Sequence, residues 1–377
     1  MKDFTTLERR VSSRISEGQT GLALLDATVT GTKAKDLETK LHRLVIGQEE
    51  AIHEIVRTYQ TYLAGLSPEG RPIGNFLFLG PTGTGKTRAV EATAEALLRD
   101  PRAVIKIDCG EFQHSHEIAK LIGSPPGYLG HRETHALLSQ EALNQYHTEN
   151  MKLTFVLFDE IEKASDALWN LLLGILDKGT LTLGDNRKVD FSNALIFMTS
   201  NIGASEMSSL VSPKLGFHVS TPDDSNCALT LTAKLSRTGI EAARRKFTPE
   251  FLSRLDRIVV FKALGNEELE RIIDIELGRL QQRVQTAAAG KPFLINVTGS
   301  ARRLLLTEGI DLRYGARPLK RAIERLLVHP LSNLMASGQI QHRDRIRVTH
   351  NGESPSLTFF RETDTWEIWK TNGFAAA

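Results

Sequence analysis

The sequence has little of what would cross-link it. Its 377 residues hold two cysteines, Cys109 and Cys227, far apart and without His or Cys at metal-ligand spacing, which excludes a disulfide framework and leaves no zinc motif. Long apolar runs are missing too. No segment reaches the roughly 20 apolar residues of a bilayer span, and Met1-Lys2-Asp3-Phe4 lacks the apolar core of a signal peptide. Neither sign of charge dominates, with 47 Lys and Arg against 45 Asp and Glu for a net charge of +2. That balance gives no argument for a nucleic-acid or membrane partner. No fixed-period repeat is present, so a solenoid is not expected. The expectation is a cytoplasmic protein in a reducing compartment, long enough for two domains.

What is present is organised around Gly80-Pro81-Thr82-Gly83-Thr84-Gly85-Lys86-Thr87. The apolar run Asn75 to Leu79 before it reads as a buried strand, and Arg88 to Arg99 after it as an Ala-rich helix. Strand, glycine loop and helix form the setting of a phosphate loop. Glycines let backbone N–H groups turn inward around a triphosphate, and the helix N-terminus adds partial positive charge. Lys86 would reach the β- and γ-phosphates, and the Thr87 hydroxyl would hold Mg²⁺.

Around this loop the chain alternates. Phe4, Leu7, Val11 and Ile15 stripe a short helix, and Thr20 to Thr32 reads as a linker. Helical patterns follow from Leu37 and over Glu49 to Leu63. Further strands are expected at Ala103–Ile107, Thr154–Phe158, Ala194–Met198 and Arg257–Phe261. Strands apolar on both faces and separated by helices argue for a parallel sheet between helical layers. After Lys262, long charged amphipathic helices take over at about Asn266–Gln285 and Ala316–Ala336, with short strands at Phe293–Val297 and Arg345–Val348. Trp366 and Trp369 alternate with polar residues as in an edge strand. The expected division is an extension and linker over 1–35, a large nucleotide-binding domain over 36–262, a small domain over 263–352, and a strand and tail over 353–377.

The strand Thr154–Phe158 ends in Asp159-Glu160, at the edge where open α/β sheets bind ligands. Asp159 is placed to hold Mg²⁺, and Glu160 to polarise an attacking water. Asn201, after Ala194–Met198, would contact the γ-phosphate and the water from mid-sheet, or else form a turn.

With these motifs quoted, the chain resembles the second AAA+ module of the Clp family of ring unfoldases, ClpA, ClpB and ClpC. The resemblance runs from about Leu37 to Val348. It rests on Val45-Ile46-Gly47-Gln48, the phosphate loop, Leu121 to Tyr128, Phe158 to Ala164, Met198 to Asn201, Phe247 to Arg254 and Tyr314 to Leu319. It implies a P-loop AAA+ parallel sheet sandwiched by helices, followed by a smaller, mainly helical α+β domain. It also implies that Val45 and Ile46 line the adenine pocket, that Pro81 to Thr87 and Asp159 hold ATP and Mg²⁺, and that Asn201 is the residue called sensor 1. Arg317 matches sensor 2, and Arg254 the arginine finger that reaches a neighbouring subunit's nucleotide, with Arg257 as a rival. Tyr128 and Leu129 resemble a pore loop that grips polypeptide. Leu215-Gly216-Phe217 resembles the tripeptide that docks on a ClpP-type peptidase, a loop tucked against the core being the alternative.

The implied function is an ATP-dependent unfoldase working as a homo-oligomer, a hexameric ring, on unfolded or tagged protein. The alternatives are a nucleotide-switched scaffold and a nucleic-acid remodelling AAA+ ATPase. Two departures stand out. One nucleotide module is present where ClpA, ClpB and ClpC carry two, with no N-terminal receiving domain or coiled-coil arm. Glu133-Thr134-His135 replaces a glycine pair, which implies a different inner pore surface.

Overall fold

The computed structural model describes residues 26, 28–124, 136–149, 151–204, 206–207, 224–287, 292–311, 315–352 and 354–362, with 224–232 and 287 described by backbone alone. Helices α1 (Thr32–Leu44) and α2 (Glu49–Leu63) lead to strand β1 (Gly74–Leu79) and then α3 (Lys86–Leu98). Next come β2 (Ile105–Asp108), β3 (Thr154–Asp159), α4 (Asp166–Lys178), a hairpin of β4 (Thr180–Thr182) and β5 (Lys188–Asp190), and β6 (Ala194–Ser200). Helix α5 (Asp224–Lys246) precedes β7 (Arg257–Val260). The five strands expected before Lys262 form one sheet, in the order β2-β3-β6-β1-β7, and every neighbouring pair is parallel. The β4–β5 hairpin was not legible as a pair of strands.

The central strands β1, β3 and β6 are apolar on both faces and are covered on both, as in parallel sheets between helical layers. In β1, Phe76 and Phe78 face one layer and Leu77 and Leu79 the other. The first pair packs with Phe197, Leu37, Leu41, Ile55 and Val90, Phe76 stacking on Phe197 at 5.1 Å. The second pair packs with Ile196, Met198 and Leu168, Leu172 and Ile175 of α4. Cys109 is a free thiol within this second core, and burial pushes it far above the usual thiol range.

Beyond β7 a third core begins at Leu264. It gathers α6 (Asn266–Ala287), β8 (Leu294–Val297), α7 (Gly299–Gly309), α8 (Arg317–Ile323), α9 (His329–Ala336), β9 (Arg345–Thr349) and β10 (Thr358–Glu362). These strands form a sheet in the order β10-β9-β8, parallel between β8 and β9 and antiparallel between β9 and β10. The single helix expected over Ala316–Ala336 is divided. A π-helical turn over Glu324–Val328 separates α8 from α9, just before Pro330, whose ring and missing N–H do not fit a regular α-helical interior. Helix α7 was not anticipated, because its sequence Gly-Ser-Ala-Arg-Arg opens with no apolar period.

The expected helix over residues 4–15, the strand around Trp366 and Trp369, the pore-loop residues Tyr128 and Leu129, and Leu215 to Phe217 lie outside the described residues. Among the described residues, no helix is long and apolar enough to cross a membrane.

Candidate functional site

The three central strands end together. The register pairs Leu79 with Ser200 and Phe158 with Met198, so the phosphate loop, Asp159 and Asn201 emerge along one edge with Asn201 between the other two. Gly80, Gly83 and Gly85 have φ of 144°, 78° and 97°. At Gly80 a Cβ would lie 2.6 Å from the Phe261 carbonyl, so only glycine lets the loop pass the end of β7. At Gly85 the left-handed turn starts α3.

Lys86 is 7% exposed, although it opens a helix. Its Nζ donates to Gly80 O at 2.6 Å, Pro81 O at 2.9 Å and Asn201 Oδ1 at 2.9 Å. Burial pushes its pKa down to about 8, against the opposing pull of Glu162 and Asp159. A buried ammonium folded on carbonyls at the mouth of a glycine loop is poised for an anion to replace those acceptors.

Thr87 Oγ1 lies 3.4 Å from both carboxylate oxygens of Asp159, which also accepts a short hydrogen bond from Thr199 Oγ1. Glu160 is left-handed at φ 55°, a conformation costing a non-glycine residue about 1–2 kcal/mol. It persists because its N–H donates to Thr199 Oγ1 at 3.1 Å and its carbonyl accepts from Lys163 N at 2.9 Å. The Glu160 carboxylate pairs with the Lys163 ammonium and accepts from Asn201 Nδ2 at 3.2 Å. Lys163 beside it, with Arg317 and Asn201 adding smaller effects, holds that carboxyl below its usual range.

Asn201 thus joins the two halves of the site. Its Oδ1 accepts from Lys86 and, at 3.3 Å, from Thr82 Oγ1, while its Nδ2 donates to Glu160. Its own N–H donates to Glu162 Oε1 at 3.0 Å. A neutral amide is the side chain that offers donor and acceptor together, which argues against a mere turn former.

The small domain roofs the loop. Ala316 N donates to Gly83 O at 3.0 Å, and a Cβ on Gly315 would lie 2.6 Å from that same oxygen. Arg317 follows at the start of α8. A partly open cavity of about 360 Å³ is lined by Thr82 to Arg88, Glu91, Asp159, Glu160, Asn201 and Arg317. It is also lined by the aliphatic Leu44, Val45, Ile46, Leu264, Ile272 and Ile275, and by Glu276, Arg279 and Lys320. Aliphatic side chains beside a glycine loop that holds the Lys86 ammonium match a base joined to phosphates.

Gln48 was not singled out by sequence as a functional residue. It is buried, donates to Thr84 O at 3.1 Å and Lys262 O at 3.0 Å, and accepts from Lys262 N at 3.0 Å. It therefore stitches the phosphate loop to the chain where the third core begins. Its place beside Val45 and Ile46 was the available signal. Thr199 and Glu162 were also missed, because their partners Asp159 and Asn201 lie 40 and 39 residues away; Lys163 was missed although its partner Glu160 is an i,i+3 neighbour.

Arg254 is not brought to this cavity. Its Nη1 donates to Glu250 Oε1 at 2.9 Å, and its carbonyl accepts from Asn75 Nδ2 near the start of β1. The phosphate loop begins at the other end of that strand. At ~3.3 Å per residue, the five steps from Asn75 to Gly80 span about 16 Å. Arg254 therefore sits at the opposite edge of the sheet, out of reach of its own pocket. Arg257 pairs with Glu54.

Two family models match adjoining parts of the chain: "AAA domain (Cdc48 subfamily)" over residues 71–258, and "C-terminal, D2-small domain, of ClpB protein" over residues 264–348. The chain is 36% identical over 352 residues to the ATP-dependent Clp protease ATP-binding subunit ClpC of Staphylococcus saprophyticus, covering 93% of this chain and 41% of that protein. ClpC of Staphylococcus aureus is 37% identical over 350 residues, covering 93% and 40%. The chain thus spans about two fifths of the length of these relatives. Among solved structures, the S. cerevisiae Hsp104:casein complex matches with a TM-score of 0.72 at 29% identity, over 88% of this chain and 53% of that one. The S. cerevisiae Hsp104-ADP complex matches with a TM-score of 0.70 at 28% identity, over 88% and 52%. A glycine loop, acidic strand end and mid-sheet asparagine under a small-domain roof, together with these likenesses, place the chain in the Clp family of AAA+ ATPases.

Proposed function

We propose that this chain hydrolyses ATP at the seams of a homo-oligomeric, hexameric ring and uses the cycle to pull unfolded or tagged polypeptide through the centre. The observation that carries the reading is the roof contact between Ala316 and Gly83. It lays the Arg317 helix directly on the phosphate loop, so what occupies the loop bears on how the small domain (263–352) sits against the large one (36–262).

In this reading Val45 and Ile46 take the base, Pro81 to Lys86 the phosphates, and Arg317 the γ-phosphate. Thr87 and Asp159 offer adjacent hard oxygen donors of the kind Mg²⁺ accepts. Mg²⁺, when bound, neutralises charge on the phosphate oxygens. Glu160, kept ionised by Lys163 and aimed by Asn201, orients the attacking water. Arg254, facing away from its own pocket, serves the neighbouring copy, where such a residue contributes about 10³ to 10⁵ in rate. Tyr128 and Leu129 are proposed to grip the polypeptide, since an aromatic side chain offers a large contact surface tolerant of sequence. Leu215-Gly216-Phe217 is proposed to dock on a ClpP-type peptidase in the cytoplasm.

The test is a Glu160→Gln chain with ATP and a fluorescent, permanently unfolded polypeptide. It should assemble, hold ATP and retain the polypeptide, with hydrolysis reduced at least a hundredfold, while Tyr128→Ala should hydrolyse ATP without retaining it. A wild-type chain that stays monomeric with ATP, or Glu160→Gln hydrolysing at the wild-type rate, would overturn the reading.

A further inference from the structure

Strand β1 is apolar apart from one residue, Asn75, which is wholly buried. Its Nδ2 donates to two carbonyls from different parts of the chain, Leu176 O in α4 at 3.2 Å and Arg254 O at 3.1 Å. Its Oδ1 has no hydrogen-bond partner among the described residues. Left unmet in the core, that oxygen carries a cost an apolar side chain would avoid, so the amide is poor packing and useful only for the two bonds it donates. Main-chain and side-chain bonds reinforce them. Asn75 N donates to Asp256 Oδ2 at 2.8 Å, Asp256 N donates back to Asn75 O at 2.9 Å, and Asp256 pairs with Arg71 at 3.0 Å. The segment 254–256 precedes the first residue of β7, so this clamp and not the β7 ladder sets where Arg254 leaves the sheet.

We propose that Asn75 is a positioning residue for Arg254, fixing the backbone from which that side chain reaches the neighbouring copy. The inference rests on the reading of Arg254 as acting on a neighbour's nucleotide. It gives β1 two tasks, since the strand that carries the phosphate loop at one end holds Arg254 at the other. A subunit's own loop and the cation it lends are thereby built on one rigid element. Because displacement of a reacting group by ~1 Å costs up to about 10²-fold in rate, loss of the clamp acts on hydrolysis in the neighbour and leaves the subunit's own binding of nucleotide intact.

The experiment compares Asn75→Ala, Asp256→Ala and Arg254→Ala in the full chain, each alone and mixed with Glu160→Gln chains. Glu160→Gln copies add almost no hydrolysis of their own but offer an intact Asn75 and Arg254. Alone, Asn75→Ala and Asp256→Ala should lower kcat about tenfold or more, with KM for ATP within about twofold. Mixing should then raise the rate per clamp-mutant copy, because its pocket now faces a neighbour with a correctly held Arg254. A defect confined to the mutant's own fold or pocket would not be relieved in trans. Should Asn75→Ala fail to fold, Asp256→Ala, at the half-exposed side of the clamp, carries the same test. If Arg254→Ala is relieved by mixing and neither clamp variant is, the inference is wrong. If Arg254→Ala hydrolyses normally, or is not relieved either, the reading of Arg254 itself fails and takes the inference with it.

Discussion

Replacing Gly315 by alanine separates backbone strain from damage to the roof of the nucleotide pocket. Gly315 has φ 57°, so an alanine carries the left-handed penalty of about 1–2 kcal/mol. Its Cβ would also lie 2.6 Å from Gly83 O, 2.7 Å from Gly83 C and 3.1 Å from Thr82 O. These are backbone atoms of the phosphate loop and have no rotamer to yield. Reaching an ordinary contact of about 3.4 Å requires the two segments to part by roughly 0.8 Å, which stretches or breaks the bond from Ala316 N to Gly83 O, worth about 1 kcal/mol. Arg317, two residues on, moves with the backbone. Misplacement of that size costs on the order of tenfold to a hundredfold in kcat. Gly338 supplies the control, since its φ is 72° and a methyl group there would meet nothing within 4 Å; Gly338→Ala bears the strain without the clash. Denaturant unfolding should show both variants destabilised, with Gly315→Ala the worse by about 1 kcal/mol. ATPase rates at saturating ATP should be near wild type for Gly338→Ala and tenfold or more lower for Gly315→Ala. Equal rates in the two variants would refute the claim that the roof contact holds Arg317 in its working position.

Gln48→Ala should cost about 2–4 kcal/mol, because it strands the Thr84 and Lys262 carbonyls and the Lys262 N–H; chemical denaturation checks this, and a loss under about 1 kcal/mol would show that these groups find other partners. Lys86 makes nucleotide binding depend on pH. With its folded pKa lowered to about 8 from 10.5, the unliganded folded chain binds fewer protons than the unfolded chain between those values, so its stability rises as pH increases through 8. Nucleotide affinity should fall over the same window, since phosphates need the charged amine, and calorimetry at about pH 9 in buffers of different ionisation enthalpy should register proton uptake on binding; absence of uptake would contradict the low pKa. Lys163→Met should let the Glu160 carboxyl rise toward its ordinary value and shift the acid limb of the kcat profile upward in pH, while an unmoved limb would show that the ion pair does not govern Glu160.

How much was legible beforehand follows the range of the interactions. The five sheet strands could be read because each is a short run apolar on both faces, and the phosphate loop because its chemistry is local: glycines for backbone reach, Lys86 and Thr87 at fixed offsets. Asp159, Glu160 and Asn201 were readable as strand ends. The π turn before Pro330 and the hairpin of β4 and β5 were not, because a broken helix retains its apolar period and three-residue strands carry too little pattern. Gln48 was invisible as a tie, since its partners at Thr84 and Lys262 lie 36 and 214 residues away.

The sequence alone determined which residues are chemically able to hold a triphosphate and activate water, because those properties belong to side-chain types and to spacing within one turn or strand. Only the tertiary structure decided that Asn201 touches both Lys86 and Glu160, that Gly315 lies against Gly83, and that Arg254 faces away from its own pocket. Those relations follow from strand order and from how the third core packs on the first two. Such packing sums many weak contacts between distant segments, and no short stretch of sequence encodes it.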